Sequence, residues 1–223
     1  DNPLVINEPH IQFYAGCPIR STNGSKLGTL CIIDQQPRML TDDDLLALKD
    51  LASMVERELL ALELATSDEL TNLLNRRGFM MIGQNALAIC IRHKTPAVIL
   101  YLDLDNLKRT NDCLGHAEGD AMLITFADKL KMACRESDII ARLGGDEFVI
   151  MLINASIVTV SSITQRLQKI IDDYNRQKKT RQGLIEFSYG YAELDHKQHH
   201  TIEGLVHDAD TQMYQNKKSK KVV

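Results

Sequence analysis

The spacing of hydrophobic and polar positions changes several times along the chain, and each change marks an element. Residues 13–19 form an apolar run stopped at Pro18. Ser21 to Ser25 is polar and contains Gly24, a turn signal. Leu27 to Asp34 is a second apolar run, so the two runs predict a β-hairpin. Two strands alone cannot bury a stable core. Thr41 followed by three aspartates predicts a helix start: a capping hydroxyl, then acids favoured by the helix dipole. Apolar residues follow at Leu45, Leu48, Ala52, Val55, Leu59 and Leu62, alternating by three and four. A helix packed on its own domain and a parallel coiled coil between two chains both fit this seam.

Near residue 67 the composition changes. A polar junction at Asp68 to Arg77 leads into a helix reaching about His93, and Pro96 breaks it. Ala97 to Leu104 predicts a strand ending in the acidic run Asp103-Leu104-Asp105. Gly119 to about Arg135 predicts a helix. Residues 139–143 and 147–153 flank a Gly-Gly turn, the pattern of a second hairpin. A long amphipathic helix is expected over about Val158 to Lys178, a strand over Leu184 to Leu194, and a last helix from Ile202 to about Lys218. Strands and helices mix around a hairpin. That predicts a sheet with helices packed on it, not a purely parallel doubly wound fold.

Composition narrows this only a little. The chain has 223 residues, room for one large domain or for one full domain plus a fragment, and its charged fraction of 25% is ordinary for a globular protein. A net charge of −4 argues against a nucleic-acid surface. Five cysteines at wide spacings read as free thiols in a reducing, cytoplasmic compartment. No apolar run is long enough to cross a membrane. The chain opens on Asp1, and its first hairpin lacks a companion, so it is expected to be a fragment of a longer parent that a membrane could still tether.

The candidate chemistry lies in carboxylates at strand ends. Residues two apart on a strand share a face, so Asp103 and Asp105 can converge. Asp146 and Glu147 sit at the tip of the second hairpin. If the strands are neighbours, up to four carboxylates gather at one edge. Hard divalent cations would relieve their repulsion and could clamp attacking and leaving oxygens in phosphoryl transfer. Gly144 and Gly145 permit positive φ and close approach of a ligand. Taken alone, Gly-Gly-Asp fits a turn with solvated acids better than a site.

More than the turn matches. Arg142-Leu143-Gly144-Gly145-Asp146-Glu147-Phe148 resembles the signature of the GGDEF family, the diguanylate cyclases. Asp68 to Arg77 resembles that family's opening D-x-L-T-x-L-x-N-R-R pattern. Asp103 to Lys108, Asn111-Asp112 and Gly115 to Asp120 resemble its D-x-D-x-F-K-x-x-N-D and G-H-x-x-G-D segments. Ser188 to Ala192 and Ala209 to Tyr214 resemble its closing motifs. The order is the family's order throughout.

The resemblance implies an α+β fold: a central, mainly antiparallel five-stranded sheet wrapped by helices, as in nucleotidyl cyclases and the polymerase palm. It implies condensation of two GTP molecules into cyclic di-GMP across a homodimer, with Mg²⁺ or Mn²⁺, two ions per active site. Asp103, the Leu104 carbonyl, Asp146 and Glu147 are the implied metal-binding groups. Glu147 is the candidate for assisting deprotonation of the attacking hydroxyl, Asp146 shares the catalytic edge, and Lys108 stabilises phosphate charge. Asn111 and Asp120 are the implied guanine readers, an amide and a carboxylate suited to that base's edge. His116 either lines the base pocket or has a structural role in its Gly-rich turn. Lys217 and Lys221 match phosphate-holding positions, although the family's usual arginine is a lysine at 221. Leu107 replaces the usual Phe.

Arg135 and Asp138 form an R-x-x-D ending five residues before Gly144. In this register the resemblance implies product inhibition by cyclic di-GMP, with Arg166 as a further arginine. Residues 15–45 resemble the last part of a GAF sensory domain. The expected organisation is therefore a partial GAF-like domain over residues 1–40, a signalling linker helix over 41–67 and the cyclase domain over 68–223. The competing expectation is a weak or inactive module that binds GTP or cyclic di-GMP without turnover.

Overall fold

A computed structural model of the chain describes residues 2–178 and 183–220. It divides into two compact units, Asp1–Ala65 and Thr66–Val223. In the first, a short helix α1 (Pro3–Ile6) precedes strands β1 (Phe13–Arg20) and β2 (Lys26–Asp34) and the long helix α2 (Asp42–Thr66). The strands pair antiparallel, Cys17 opposite Leu30. Helix α2 starts as the sequence predicts. The Asp44 amide donates to the Thr41 hydroxyl at 3.2 Å, and the Thr41 amide donates back to the Asp44 carboxylate at 2.9 Å. The heptad seam divides. Leu48 and Ala52 are buried with Ile19, whereas Leu45, Val55, Leu59 and Leu62 are exposed.

The second unit follows the order α3 (Arg76–His93), β3 (Ala97–Leu104), α4 (Leu107–Leu114), α5 (His116–Ala133), β4 (Ile139–Gly144), β5 (Glu147–Ile153), α6 (Ile157–Gln177), β6 (Phe187–Glu193), α7 (Ile202–Lys220). The strand order is β4-β5-β3-β6, and every pair is antiparallel. Among the described residues this sheet has four strands, not the expected five. The chain beside β4 makes one isolated bridge, Leu74 to Ala141. The next residue, Asn75, already caps α3 by accepting from the Gly78 amide at 2.9 Å. The turn into the helix comes before a strand can grow.

Strand β3 is buried along its whole length, which explains its unbroken apolar run. Alternate side chains serve opposite faces. Val98, Leu100, Leu102 and Leu104 pack with Phe126, Leu130 and Leu167 of α5 and α6. Ala97, Ile99 and Tyr101 pack with Phe79, Leu87, Leu205 and Met213 of α3 and α7. The fold is one sheet between two helical layers. One helix has no counterpart in the expected elements, and one starts earlier than expected. The short, mostly polar α4 has too few apolar positions to show a period, and α5 starts at His116, not Gly119.

Helix α7 lies unusually close to β6. A Cβ on Gly190 would stand 2.1 Å from the Met213 amide nitrogen and 2.5 Å from the Ala209 carbonyl. Only glycine permits that approach. The Asn216 side chain adds a hydrogen bond to the Tyr189 carbonyl at 3.1 Å. Lys217 follows Met213 by four residues, so it projects from the same helix face.

Candidate active site

The site forms where β3 runs out between its two neighbours. Asp103 stands opposite Glu147 on β5 and Ser188 on β6. The pairing continues past the strand end, because the Leu104 amide donates to the Asp146 carbonyl at 2.9 Å. The acidic turn is thereby stitched to the strand that carries Asp103. Asp105 lies one residue beyond β3, where its carboxylate accepts the Ser188 hydroxyl at 2.9 Å. The expected convergence of the two acids holds, with Lys217 between them. Its Nζ donates to the Asp103 carboxylate and is 3.7 Å from Asp105 Oδ1.

The hairpin turn is held from outside. Gly144 and Gly145 take φ of +146° and +52°, angles that side-chain-bearing residues rarely adopt. Arg142 donates to the Gly145 carbonyl through Nε at 3.0 Å and Nη2 at 2.9 Å. Its remaining Nη1 meets both Asp68 oxygens at 3.2 Å. Asp68 also accepts the Thr71 amide at 2.9 Å and the Thr71 hydroxyl at 2.6 Å. Arg76, at the start of α3, approaches Glu147 Oε2 at 3.8 Å. In the sequence Asp68, Arg76 and Arg142 are motif letters without a visible task. Ser188 likewise carries no local signal of its contact with Asp105. Their proximity depends on strand order, which the local pattern does not encode.

Charge and burial set the acids apart. Burial pushes the Asp103 carboxyl above its ordinary value; Lys217 opposes this, and neighbouring Asp146 and Asp105 add to it. Burial alone would lower Lys217, but the Asp103 carboxylate outweighs it and raises the ammonium. Burial also acts to raise Asp68, yet the Thr71 hydrogen bonds and Arg142 hold it below the ordinary carboxylate value. The Tyr101 phenol is pushed far up, first by burial and then by the Glu147 charge. Tyr101 shares its strand face with Asp103.

Other expected residues are found as follows. Lys108 is exposed in the first turn of α4. Asn111 lies on α4 and Asp120 on α5, and these helices pack together. The Asn111 amide oxygen sits over Gly119, where a Cβ would stand 1.8 Å away. His116 is the exposed first residue of α5, beyond the Gly115 cap, not inside a Gly-rich turn. Lys221 lies outside the described residues. Arg135 and Asp138 close a turn in which the Arg135 amide donates to Asp138 Oδ2 at 2.8 Å. Both line a cleft of about 580 Å³ with Lys131, Glu136 and Ile82. Arg166 does not line it. Its guanidinium donates instead to the Ala133 carbonyl at the end of α5.

Among the described residues, no three histidine, cysteine or acidic side chains stand arranged to enclose a metal ion. The donors at the edge are nonetheless of the right kind. Asp103, Asp146, Glu147 and the Leu104 carbonyl offer hard oxygens suited to Mg²⁺, and the buried Asp103 already takes a cation, the Lys217 ammonium. The chemistry fits a divalent ion, provided that Lys217 yields its place.

The family described as diguanylate cyclase, GGDEF domain, matches residues 65–222. The chain belongs to the GGDEF family. The GAF domain family matches residues 1–59. Among curated proteins, diguanylate cyclase DgcP of Escherichia coli is 31% identical over 94% of this chain and 65% of its own length. Diguanylate cyclase TpbB of Pseudomonas aeruginosa is 34% identical over 67% of this chain and 34% of its own length. The chain thus spans 65%, 30% and 42% of three such relatives from E. coli. Among solved structures, the GGDEF domain of Caulobacter crescentus DgcB in complex with c-di-GMP is 26% identical, with a TM-score of 0.64 over 70% of this chain and 89% of its own. The GGDEF domain of PA1120 (TpbB or YfiN) from P. aeruginosa is 34% identical, with a TM-score of 0.61 over 69% and 89%. The GGDEF signature of this chain is the β4–β5 turn that Arg142 clamps.

Proposed function

We propose that this chain is a diguanylate cyclase that converts two GTP molecules into cyclic di-GMP and two pyrophosphates. The observation that carries this reading is Asp103 facing Glu147 across the β3–β5 register, with Asp146 tied to Leu104 beside them. The named activity of the relatives agrees with it.

Each chain binds one GTP. Asn111 and Asp120 read the guanine edge, with exposed His116 close by in sequence. Lys108, Lys217 and Lys221 offset phosphate charge. Glu147 accepts the proton of the 3′-hydroxyl. The freed oxygen bonds to the α-phosphorus of the other GTP, and the bond to the departing pyrophosphate breaks. The same exchange in the opposite sense closes the ring. Asp103, Asp146, Glu147 and the Leu104 carbonyl would hold Mg²⁺ or Mn²⁺, two ions per site, whose charge favours the ionised hydroxyl and the leaving pyrophosphate.

One chain supplies one GTP, so turnover needs a homodimer. Residues 41–67 are the linker between a sensory part at 1–40 and the catalytic part at 68–223; the GAF match over residues 1–59 supports a sensory part and takes in most of that helix. The exposed Leu45, Val55, Leu59 and Leu62 suit a partner helix. Cyclic di-GMP inhibits by binding the cleft at Arg135 and Asp138, while Arg166 supports that turn through Ala133. The ligand named with the C. crescentus relative agrees with this product. The described cysteines are all free, and no described helix is long and apolar enough to cross a membrane; both suit a cytoplasmic enzyme.

The test is to incubate the full chain with GTP and Mg²⁺ and to resolve the nucleotides. Cyclic di-GMP and pyrophosphate are expected. Absence of product at high protein concentration contradicts the reading. Tight cyclic di-GMP binding without turnover would favour the competing reading, a regulatory module, for which the Lys217 contact on Asp103 is the supporting observation.

A further inference from the structure

Lys217 lines a cleft beside Asp105 and Ser188, but its ammonium turns to the carboxylates. Its ammonium is hydrogen-bonded to Asp103 and 3.7 Å from Asp105, and its side chain is 24% exposed. We propose that Lys217 is the resident counter-ion of the carboxylate edge, that a divalent cation binds Asp103 only by exchanging with it, and that the site therefore favours a metal–nucleotide complex over the free metal. The proposal rests on the cyclase reading in taking Asp103 as a metal ligand and a nucleoside triphosphate as the metal's companion.

The Asp103 side chain is 11% exposed. A buried carboxylate is costly without a cation beside it. Lys217 meets that need at Asp103 Oδ1, one of the two oxygens a divalent ion would use. Two cations crowded on one partly buried carboxylate repel each other, which favours exchange over joint occupancy. The helix cannot simply withdraw, because Gly190 lets α7 seat directly on β6 and Asn216 fastens it there. The exchange is therefore a swing of the lysine stem.

A swung-out ammonium needs a new anion. A metal ion arriving alone supplies none, so the lost ion pair counts against it. A metal ion arriving with a triphosphate supplies one, and Lys217 then meets the phosphates. Metal and nucleotide binding are coupled through one side chain, and thermodynamic linkage makes the coupling reciprocal. The same lysine thus neutralises Asp103 before substrate arrives and phosphate afterwards.

The test measures Mn²⁺ binding to the full chain by electron paramagnetic resonance, first without nucleotide. It is repeated with a GTP analogue whose α,β-bridging oxygen is a methylene. Lys217→Met is expected to bind Mn²⁺ alone at least about fivefold more tightly than wild type, the lower range of ordinary coupling. The analogue should then tighten Mn²⁺ binding less in Lys217→Met than in wild type. Lys217→Arg keeps the charge and is expected to resemble wild type. Lys218→Met controls for loss of a nearby charge, since Lys218 sits 4.3 Å from the Tyr214 ring centroid. It too should resemble wild type. The proposal is overturned if Lys217→Met gains no affinity, if Lys218→Met gains as much, or if no form binds Mn²⁺. Turnover is not read, so an inactive chain with exchanging metal would reject the cyclase reading and leave this one standing.

Discussion

Arg142 and Asp68 lie 74 positions apart in sequence and meet at 3.2 Å, with the same guanidinium also gripping the Gly145 carbonyl. The pair ties the start of the GGDEF domain to its signature turn. Its exposure is low, 12% and 21% for the two side chains, so solvent screens it less than a surface pair. Removing one partner leaves the other short of hydrogen bonds. Arg142→Ala is expected to lower stability by about 1–3 kcal/mol, read by urea denaturation. An unchanged midpoint would reject the clamp.

The same pair predicts a pH dependence. Asp68 titrates below its ordinary value of 3.8 in the folded protein. A depressed carboxyl stabilises the fold fully above the unfolded value, and that stability fades as pH falls through the folded value. Asp68→Asn should therefore be less stable than wild type at neutral pH, and the gap should narrow below about pH 4. A gap that stays constant down to pH 2 would assign the effect to packing.

Gly190 and α7 give a third prediction. Gly190→Ala puts a methyl where backbone atoms of α7 already lie, 2.1 Å from the Met213 nitrogen. The helix must shift, at a cost of about 1–3 kcal/mol, and Lys217 shifts with it. Thermal unfolding would register the loss, and Mn²⁺ binding would change in the same variant. Wild-type behaviour in both would disprove the close seating.

Gly119 tests the guanine subsite. An added Cβ would displace the Asn111 amide. Gly119→Ala is expected to weaken GTP binding about tenfold or more, as loss of a good hydrogen bond implies, while ATP binding stays weak. Isothermal titration checks this. Equal affinity for GTP in both forms would remove Asn111 from base recognition.

The cysteines offer a chemical check on burial. Cys134 is pushed up to about 12, mainly by burial, with Asp138 adding to it. Cys31 and Cys113 are exposed. At pH 7.5 iodoacetamide should label Cys31 and Cys113 and spare Cys134, read by peptide mass spectrometry. Early labelling of Cys134 would contradict the packing beneath the Arg135 turn.

How legible all this was in sequence depends on range. Strand β3 and the β4–β5 hairpin could be read because their apolar runs and Gly-Gly turn are local signals. The Asp103 edge could be anticipated because the acids close an apolar strand. Helix α4 escaped because only its ends are apolar. The missing fifth strand escaped because Asn75 caps a helix at once, a competition between local hydrogen bonds that composition hides. Arg142 with Asp68, and Lys217 with Asp103, escaped because each joins distant segments through strand order and the seating of α7 on Gly190. A motif marks such residues but not what they touch.

Formation of cyclic di-GMP from labelled GTP and Mg²⁺, measured side by side for wild type and Glu147→Gln with GTP affinity recorded for both, tests the central claim most directly. The account predicts product from wild type and a loss of turnover in Glu147→Gln of at least about 100-fold, with GTP affinity changed far less. No product from wild type, or an equal loss of binding and turnover in the variant, would contradict it.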